Sequence, residues 1–343
     1  MAVVKRKRIE LERVADYDNL AYAFWRAAQG KRQRSDVQRF SARLPQELSR
    51  LQADILSLQV TVGKYQTFRI WDPKPRLIHA PCFRERVLHH ALMAQLGPAL
   101  DRTLVDDTFA CRTGKGTYAA VARAQQHIRR HPWYGKIDVR SYFASIEHDR
   151  LLAVLARRIK GAGVLALCER IVRGHHAEQY GSLPGRGLPI GALTSQHFAN
   201  LYLDPLDRFL LDRSEVRGLV RYMDDSVYFC DSRAAARATL SAADAFVRER
   251  LGLQLRDDGR IQRSALGLPF LGFRVFPGTL RLSRRRMARY RAARRRWERA
   301  YLAGDIDALG LQAGYASAFA TTAHVDSAAF RREELRRRPA PDA

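Results

Sequence analysis

Acidic residues are scarce in this chain: 35 Asp and Glu stand against 60 Lys and Arg over 343 residues, a net charge of +25. The imbalance points to a polyanionic partner, most often nucleic acid. Long apolar runs are missing as well. None approaches the roughly 20 residues a membrane span needs, and no separate basic amphipathic anchor is present, so a membrane partner is excluded. The basic start, Met1 to Arg8, is not followed by an apolar stretch, so it does not read as a signal peptide, and a cytoplasmic location is expected. Cysteine is rare: Cys82, Cys111, Cys168 and Cys230 are scattered, with no CxxC pair. That excludes a zinc ribbon or a disulfide frame and leaves reduced, mostly buried thiols. Repeats and low-complexity linkers are absent too. What remains is a chain with 46% hydrophobic residues, long enough for two or three subdomains around a sizeable core.

Apolar spacing predicts helices over 16–28 and 35–58, joined by the basic patch Gly30-Lys31-Arg32-Gln33-Arg34. Residues 65–71 and 76–80 read as a hairpin whose tip, Asp72-Pro73-Lys74-Pro75, carries cations. A helix over 83–96 should stop at Gly97-Pro98. A loop over 108–117 leads into a helix reaching Arg130. A strand over 134–139 contains Asp138, and helices follow near 149–160 and 163–174. The Gly/Pro-rich segment 181–191 approaches a long helix over 193–212. Strand-like runs at 218–223 and 226–230 form a second hairpin. A helix over 233–250 and a strand over 270–275 complete this part. From about Pro277 arginine dominates, with ten between 281 and 299, Arg285, Arg289 and Arg296 among them. They surround an apolar line of Met287, Tyr290, Trp297 and Tyr301, which makes a helix with one packed seam and a guanidinium-covered remainder. So dense a single-signed run repels itself without an anion, so phosphate contact is expected there.

Asp224 and Asp225 sit at the tip of the second hairpin. Adjacent carboxylates at a tight turn repel unless a cation neutralises them. Alone, the dipeptide reads equally as a solvated hairpin tip. Asp138 at a strand end could lie beside it, and three carboxylates would then hold two divalent ions, which suits Mg²⁺. His89-His90 and His175-His176 are poor ligand pairs, because neighbours on a helix diverge by about 100°.

Read together, these pieces resemble a reverse transcriptase over about 64–276. Tyr222-Met223-Asp224-Asp225 is similar to that family's signature box, Lys136-Ile137-Asp138-Val139-Arg140-Ser141-Tyr142-Phe143 to the strand bearing its first metal-binding Asp, and Phe270-Leu271-Gly272-Phe273 to its primer-side strand. The resemblance implies catalytic Asp138, Asp224 and Asp225, with Val139 joining them around two Mg²⁺ ions, Mn²⁺ being an alternative. It implies deoxynucleotide contacts from Lys74, Arg76, Phe143, Ile190 and Gly191, with the Phe143 ring excluding a 2′-OH. For Arg112 and Lys115, in a box whose Gly-Lys-Gly lacks phosphate-loop spacing, the resemblance implies template or nucleotide contact, and for Gln196 and the thumb arginines Arg285, Arg289 and Arg296 it implies nucleic-acid contact. The implied fold is α+β, a right-hand polymerase: N-terminal helices and fingers over 1–136, a palm with a small antiparallel sheet over 137–276 (segment 150–190 belonging to the fingers), and a basic helical thumb and tail over 277–343.

Within that family, Leu188-Pro189-Ile190-Gly191-Ala192-Leu193-Thr194-Ser195-Gln196 departs from group II intron enzymes, which carry Gln-Gly where Ile190-Gly191 stands. The variant resembles reverse transcriptases of diversity-generating retroelements. The expected function is therefore error-prone copying of an RNA template into cDNA for mutagenic retrohoming, with template RNA, primer and dNTPs as partners and a small basic accessory protein as a further one. An isolated or phage-defence reverse transcriptase, and a non-catalytic nucleic-acid-binding protein on the same fold, are the rival readings. No Lys follows Lys160, so the Lys that many polymerases place after the Asp-Asp hairpin to protonate pyrophosphate is missing. Arg260 and Arg263 lie there, but a guanidinium rarely gives up its proton.

Overall fold

The computed structural model describes residues 6–71, 75–175, 183–256 and 259–341. Helices and small sheets alternate in an α+β architecture. The central sheet has four antiparallel strands in the spatial order Gly218–Tyr222, Asp225–Cys230, Trp133–Ile137, Arg260–Arg263. Trp133 pairs with Cys230 and Ile137 with Ser226, so both strands end together at one edge. Gly135 is required where it stands. The Tyr228 ring lies across it, 2.0 Å from where a Cβ would be, and the Tyr228 hydroxyl donates to the Ala236 carbonyl at 2.7 Å. That contact seats helix Arg233–Leu251 on one face of the sheet. Because side chains alternate along a strand, Lys136 points to the other face.

The N-terminal helices Leu11–Ala15 and Tyr17–Ala28 pack on helix Phe83–Asp101, Leu44–Leu56 packs on those two, and their buried faces share one core with the central sheet. Strands Tyr65–Trp71 and Pro75–Pro81 form the expected hairpin, largely exposed. Its tip, Lys74 included, lies outside the described residues. A second core joins helix Thr117–Arg130 to a three-stranded sheet of Leu268–Phe270, Phe273–Val275 and Leu280–Leu282. Three C-terminal helices follow, Arg284–Leu302, Ala308–Ala320 and Ala328–Arg337. Among the described residues, no helix is long and apolar enough to cross a membrane.

Several expectations are corrected. The helix read over 35–58 is two, Ser35–Ala42 and Leu44–Leu56, and the one over 193–212 is also two, Leu193–Tyr202 and Asp204–Leu211. In each pair the second helix opens on a proline, Pro45 or Pro205. Proline has no N–H to bond back into the preceding helix but is tolerated in a first turn, where that N–H would be unpaired anyway, which places the break just before it. Pro98, by contrast, does not stop its helix, which runs to Asp101 because Ala99 and Leu100 beyond it are buried. The 270–275 strand is a hairpin. Phe270 pairs with Phe273 around Leu271 and Gly272, both left-handed at φ 48° and 82°. Ile159–Lys160, expected as helix, pairs in parallel with Lys7–Arg8.

One fully buried ion pair ties these parts together. The Arg221 guanidinium donates to both Asp207 oxygens (2.6–2.8 Å), to the Asn200 side-chain oxygen (2.8 Å) and carbonyl (2.9 Å), to Thr108 (3.3 Å) and to the Met223 carbonyl (3.0 Å). Two helices, a loop and the second hairpin meet on this one side chain. Removing one partner strands a buried charge. Arg221→Met or Asp207→Leu alone should cost about 3–5 kcal/mol, and the double substitution less than the sum of the two. Urea unfolding of the three variants measures this; strict additivity would mean the pair is not coupled.

Candidate active site

The site is built at the paired strand ends. Tyr222 pairs with Asp225, leaving a two-residue turn of Met223 and Asp224, so Asp225 begins a strand and does not share the tip with Asp224. Met223 adopts φ 56°, a left-handed conformation that a non-glycine residue holds only when its surroundings impose it. Here Arg221 does so, through the Met223 carbonyl. Asp138 follows the last residue of its strand, and the pairing of Ile137 with Ser226 carries it alongside Asp225. Thus the register brings the three expected acids to one edge. The Asp138 carbonyl accepts from the Arg256 N–H at 2.9 Å, and the Arg140 N–H donates to the Gln254 carbonyl at 2.8 Å. These bonds flank the bridge between Val139 and Leu255 without using the Val139 carbonyl.

Burial pushes the Asp225 carboxyl up to about 6, against the pull of Lys136, with Asp224 and Asp138 adding to the rise. Burial raises Asp224 as well, and Asp138 adds to it; the Asp224 backbone N–H, Arg76 and Arg256 oppose. Two cations stand among the acids. The Lys136 ammonium donates to Asp225 Oδ2 at 3.2 Å and to the Pro269 carbonyl at 3.3 Å, and lies 3.1 Å from Oδ1. Arg256 Nε lies 3.5 Å from Asp138. Among the described residues, no group of three His, Cys, Asp or Glu is closed in metal-holding geometry. Asp225 is turned toward Lys136 and Asp138 toward Arg256. The donor chemistry nonetheless suits a hard divalent cation: Asp225 Oδ1 is buried and meets the Lys136 ammonium at 3.1 Å without hydrogen-bond geometry. Beside the acids a cavity of about 260 Å³ opens, lined by Lys136, Asp138, Gly259, Arg260 and Pro269.

Of the other expected residues, Arg76 is exposed on strand Pro75–Pro81 and close enough to Asp224 to lower its pKa. Phe143 is half-buried against the main core, edge-on to Tyr142, and its carbonyl accepts from the Leu188 N–H at 2.8 Å. The Ile190 carbonyl accepts from the His79 N–H at 2.8 Å, which docks this loop on the first hairpin. Gly191 sits at φ 120°, where a side chain would be strained and would meet Ile78 at 2.9 Å. Gln196 is exposed and accepts from the Cys111 thiol at 3.4 Å.

Arg112 departs from the expectation of a template contact. Its side chain is 7% exposed and donates to Asp101 (2.5 Å), Val105 (2.6 Å) and Thr108 (3.0 Å), which makes it a tie within its own loop. Lys115 leans over the Phe109 ring at 5.1 Å and donates to the Asp106 carbonyl. Arg285, Arg289 and Arg296 lie exposed on helix Arg284–Leu302, but other arginines of that helix turn inward. Arg294 is buried against Glu298 at 2.7 Å, and Arg286 stacks 3.9 Å over the Phe273 ring. Lys136, Arg256 and Arg221 were not expected at the site. Lys136 had a signal, since it stands two residues before Asp138 on the same strand face.

A family profile described as "Reverse transcriptase (RNA-dependent DNA polymerase)" matches residues 71–275. The protein YkfC of Escherichia coli K12 is 24% identical over 185 residues, 50% of this chain and 47% of that protein. The group II intron-encoded protein LtrA of Lactococcus lactis is 24% identical over 140 residues, 40% of this chain and 23% of that protein. The match thus spans less than half the length of these relatives. Among solved structures, the apo telomerase of Candida tropicalis overlays with a TM-score of 0.46 at 11% identity, covering 65% of this chain and 48% of that one.

The raised Asp225 pKa sets a sign for metal-free stability. The folded protein holds this proton to about pH 6, whereas the ordinary value is 3.8. The stabilising contribution is therefore full below about pH 4 and lost as pH rises through 6. Asp225→Asn should melt progressively higher than wild type across that window, in chelator, with the gap constant above it. A gap independent of pH would place the Asp225 carboxyl in ordinary solvent.

Proposed function

The chain belongs to the reverse transcriptase family, and on that premise we propose that it is an RNA-directed DNA polymerase with Asp138, Asp224 and Asp225 at its reaction centre. The register pairing Ile137 with Ser226 carries this reading, because it aligns acids from two distant segments at one edge. Residues 1–136 would act as N-terminal helices and fingers, 137–276 as palm and 277–343 as thumb. Asp138, Asp224 and Asp225 would hold two Mg²⁺ ions, which in such sites activate the attacking hydroxyl and neutralise the triphosphate.

The chain's own groups have definable tasks. Arg76 supplies positive charge toward the triphosphate, and Lys74 is proposed for the same task. Lys136, bonded to both Asp225 and the Pro269 carbonyl, ties the carboxylates to the hairpin proposed to hold the primer end. Phe143 would crowd the sugar 2′ position. Exposed Arg285, Arg289 and Arg296 would grip the template–primer backbone, which gives affinity without sequence information. The substrates are template RNA, a primer and dNTPs.

For the biological role we propose mutagenic retrohoming in a diversity-generating retroelement, supported by Ile190 in place of a polar Gln and by the Gly191 turn beside it. An apolar side chain can pack on the nascent pair but cannot test it by hydrogen bonding, and polar tests reject wrong partners most strongly. A small basic accessory protein would then be a partner. A template and variable repeat near the gene would separate this role from phage defence.

Asp224→Asn with Asp225→Asn should abolish primer extension while RNA binding persists; extension at more than a few per cent of wild type would remove these acids from the centre. The fidelity test is independent. On one RNA, wild type should misincorporate chiefly opposite adenine, and Ile190→Gln should reduce this about two- to tenfold, the worth of one hydrogen bond. Equal accuracy at all four bases would refute the retroelement role and leave the polymerase intact.

A further inference from the structure

Behind the central sheet lies a groove that the polymerase reading does not use. Helices His148–Ala156, Asp204–Leu211 and Arg233–Leu251 meet around a cavity of about 530 Å³. That is within the roughly 300–1,000 Å³ of ligand sites. Tyr228 seats the third of these helices on the sheet face opposite to Lys136, so the groove lies on the helical side, away from the carboxylates.

Its floor is apolar: Val154, Pro205 and Leu251 surround Phe209 and Phe246, whose rings stack at 4.4 Å. Its rim is cationic. Arg150, Arg157, Arg158, Arg208 and Arg250 line it, against Asp212 as the acid in the lining. Three of these arginines have internal partners. Arg158 and Arg208 share Asp204, and Arg150 pairs with Glu147. Arg157 and Arg250, exposed and borne on different segments, make no ion pair among the described residues.

We infer that this groove docks an amphipathic helix of a protein partner, one whose apolar stripe is flanked by Asp or Glu. The floor rewards aliphatic and aromatic side chains, and the two unpaired guanidiniums suit carboxylates beside them. A second copy of this chain fits poorly, since each copy carries +25. RNA would satisfy the arginines, but its sugar–phosphate backbone would lose water over an apolar floor without polar compensation, and the Phe209 and Phe246 rings stack on each other. Such a partner would dock while the opposite face holds template–primer. The inference does not rest on the polymerase reading, because the groove shares no residue with the proposed centre.

The test uses the full chain saturated with template–primer. The probe is a fluorescein-labelled synthetic peptide of about four helical turns, with Leu at i, i+3, i+4 and i+7 and Glu beside them. Its control is a scrambled peptide of equal charge. Fluorescence anisotropy should show the amphipathic peptide binding at least about tenfold tighter than the scramble. Arg157→Glu with Arg250→Glu, both at exposed positions, should lose most of that preference, and so should Ala153→Trp, which fills the groove. Primer extension should stay unchanged in both variants. Equal binding of the two peptides, or a preference that survives both variants, overturns the proposal. If the double variant instead loses affinity for a labelled oligouridine as fully as for the peptide, the groove is an RNA surface and the protein partner is excluded.

Discussion

The Arg221–Asp207 pair is the constraint on which the rest of the molecule depends. It is fully buried, and its remaining hydrogen bonds go to segments far apart in sequence. Such a pair contributes little net stability, since dehydrating two charges costs about what their attraction returns. Its effect is positional. By bonding the Met223 carbonyl, Arg221 fixes the left-handed turn that presents Asp224 and starts the strand of Asp225. The same side chain holds Thr108, and the Phe109 N–H donates to the Arg221 carbonyl at 2.9 Å. The loop carrying Arg112 and Lys115 is therefore anchored to the same hairpin.

Scarce acids make this arrangement readable as an allocation of negative charge. Many of the chain's carboxylates work inside it: Asp207 on Arg221, Asp204 on Arg158 and Arg208, Glu298 on Arg294 and Arg338. Glu85, buried at the start of helix Phe83–Asp101, accepts from the Gly63 and Lys64 N–H groups, and burial pushes its carboxyl up to about 7. Each of these ion pairs takes an arginine with its acid, so the surplus of +25 is left to the remaining surface cations. The polyanion affinity read from composition and the ion pairs of the interior are thus two aspects of one distribution.

The hairpin with its two acids, the strand before Asp138 and the basic C-terminal helix were legible because each rests on local patterning. Alternation marks strands, and turn position marks Asp224, while Asp225 opens the strand beside it. The helix breaks were misjudged where proline rules compete with packing. Pro45 and Pro205 open new helices, while Pro98 is overridden by the buried Ala99 and Leu100 beyond it. Arg221 was illegible. Nothing in Leu219-Val220-Arg221-Tyr222 distinguishes an arginine facing a buried Asp from one facing solvent, because its partner lies 14 residues away on a separate helix. Arg112 misled for the same reason. A basic residue beside glycines suggests phosphate, and only the folded loop reveals carbonyls and Asp101 as its partners.

The pairing between Trp133–Ile137 and Asp225–Cys230 does more than align acids. Side chains alternate with a period of two, so a one-residue slip would turn Asp138 away from Asp225 and would also rotate Tyr134 and Phe229 out of their core. The error that spoils the centre is the error that unfolds the layer beneath it. A molecule with this strand pair out of step is then absent from the folded pool. A shifted register should therefore report itself as a loss of folded copies.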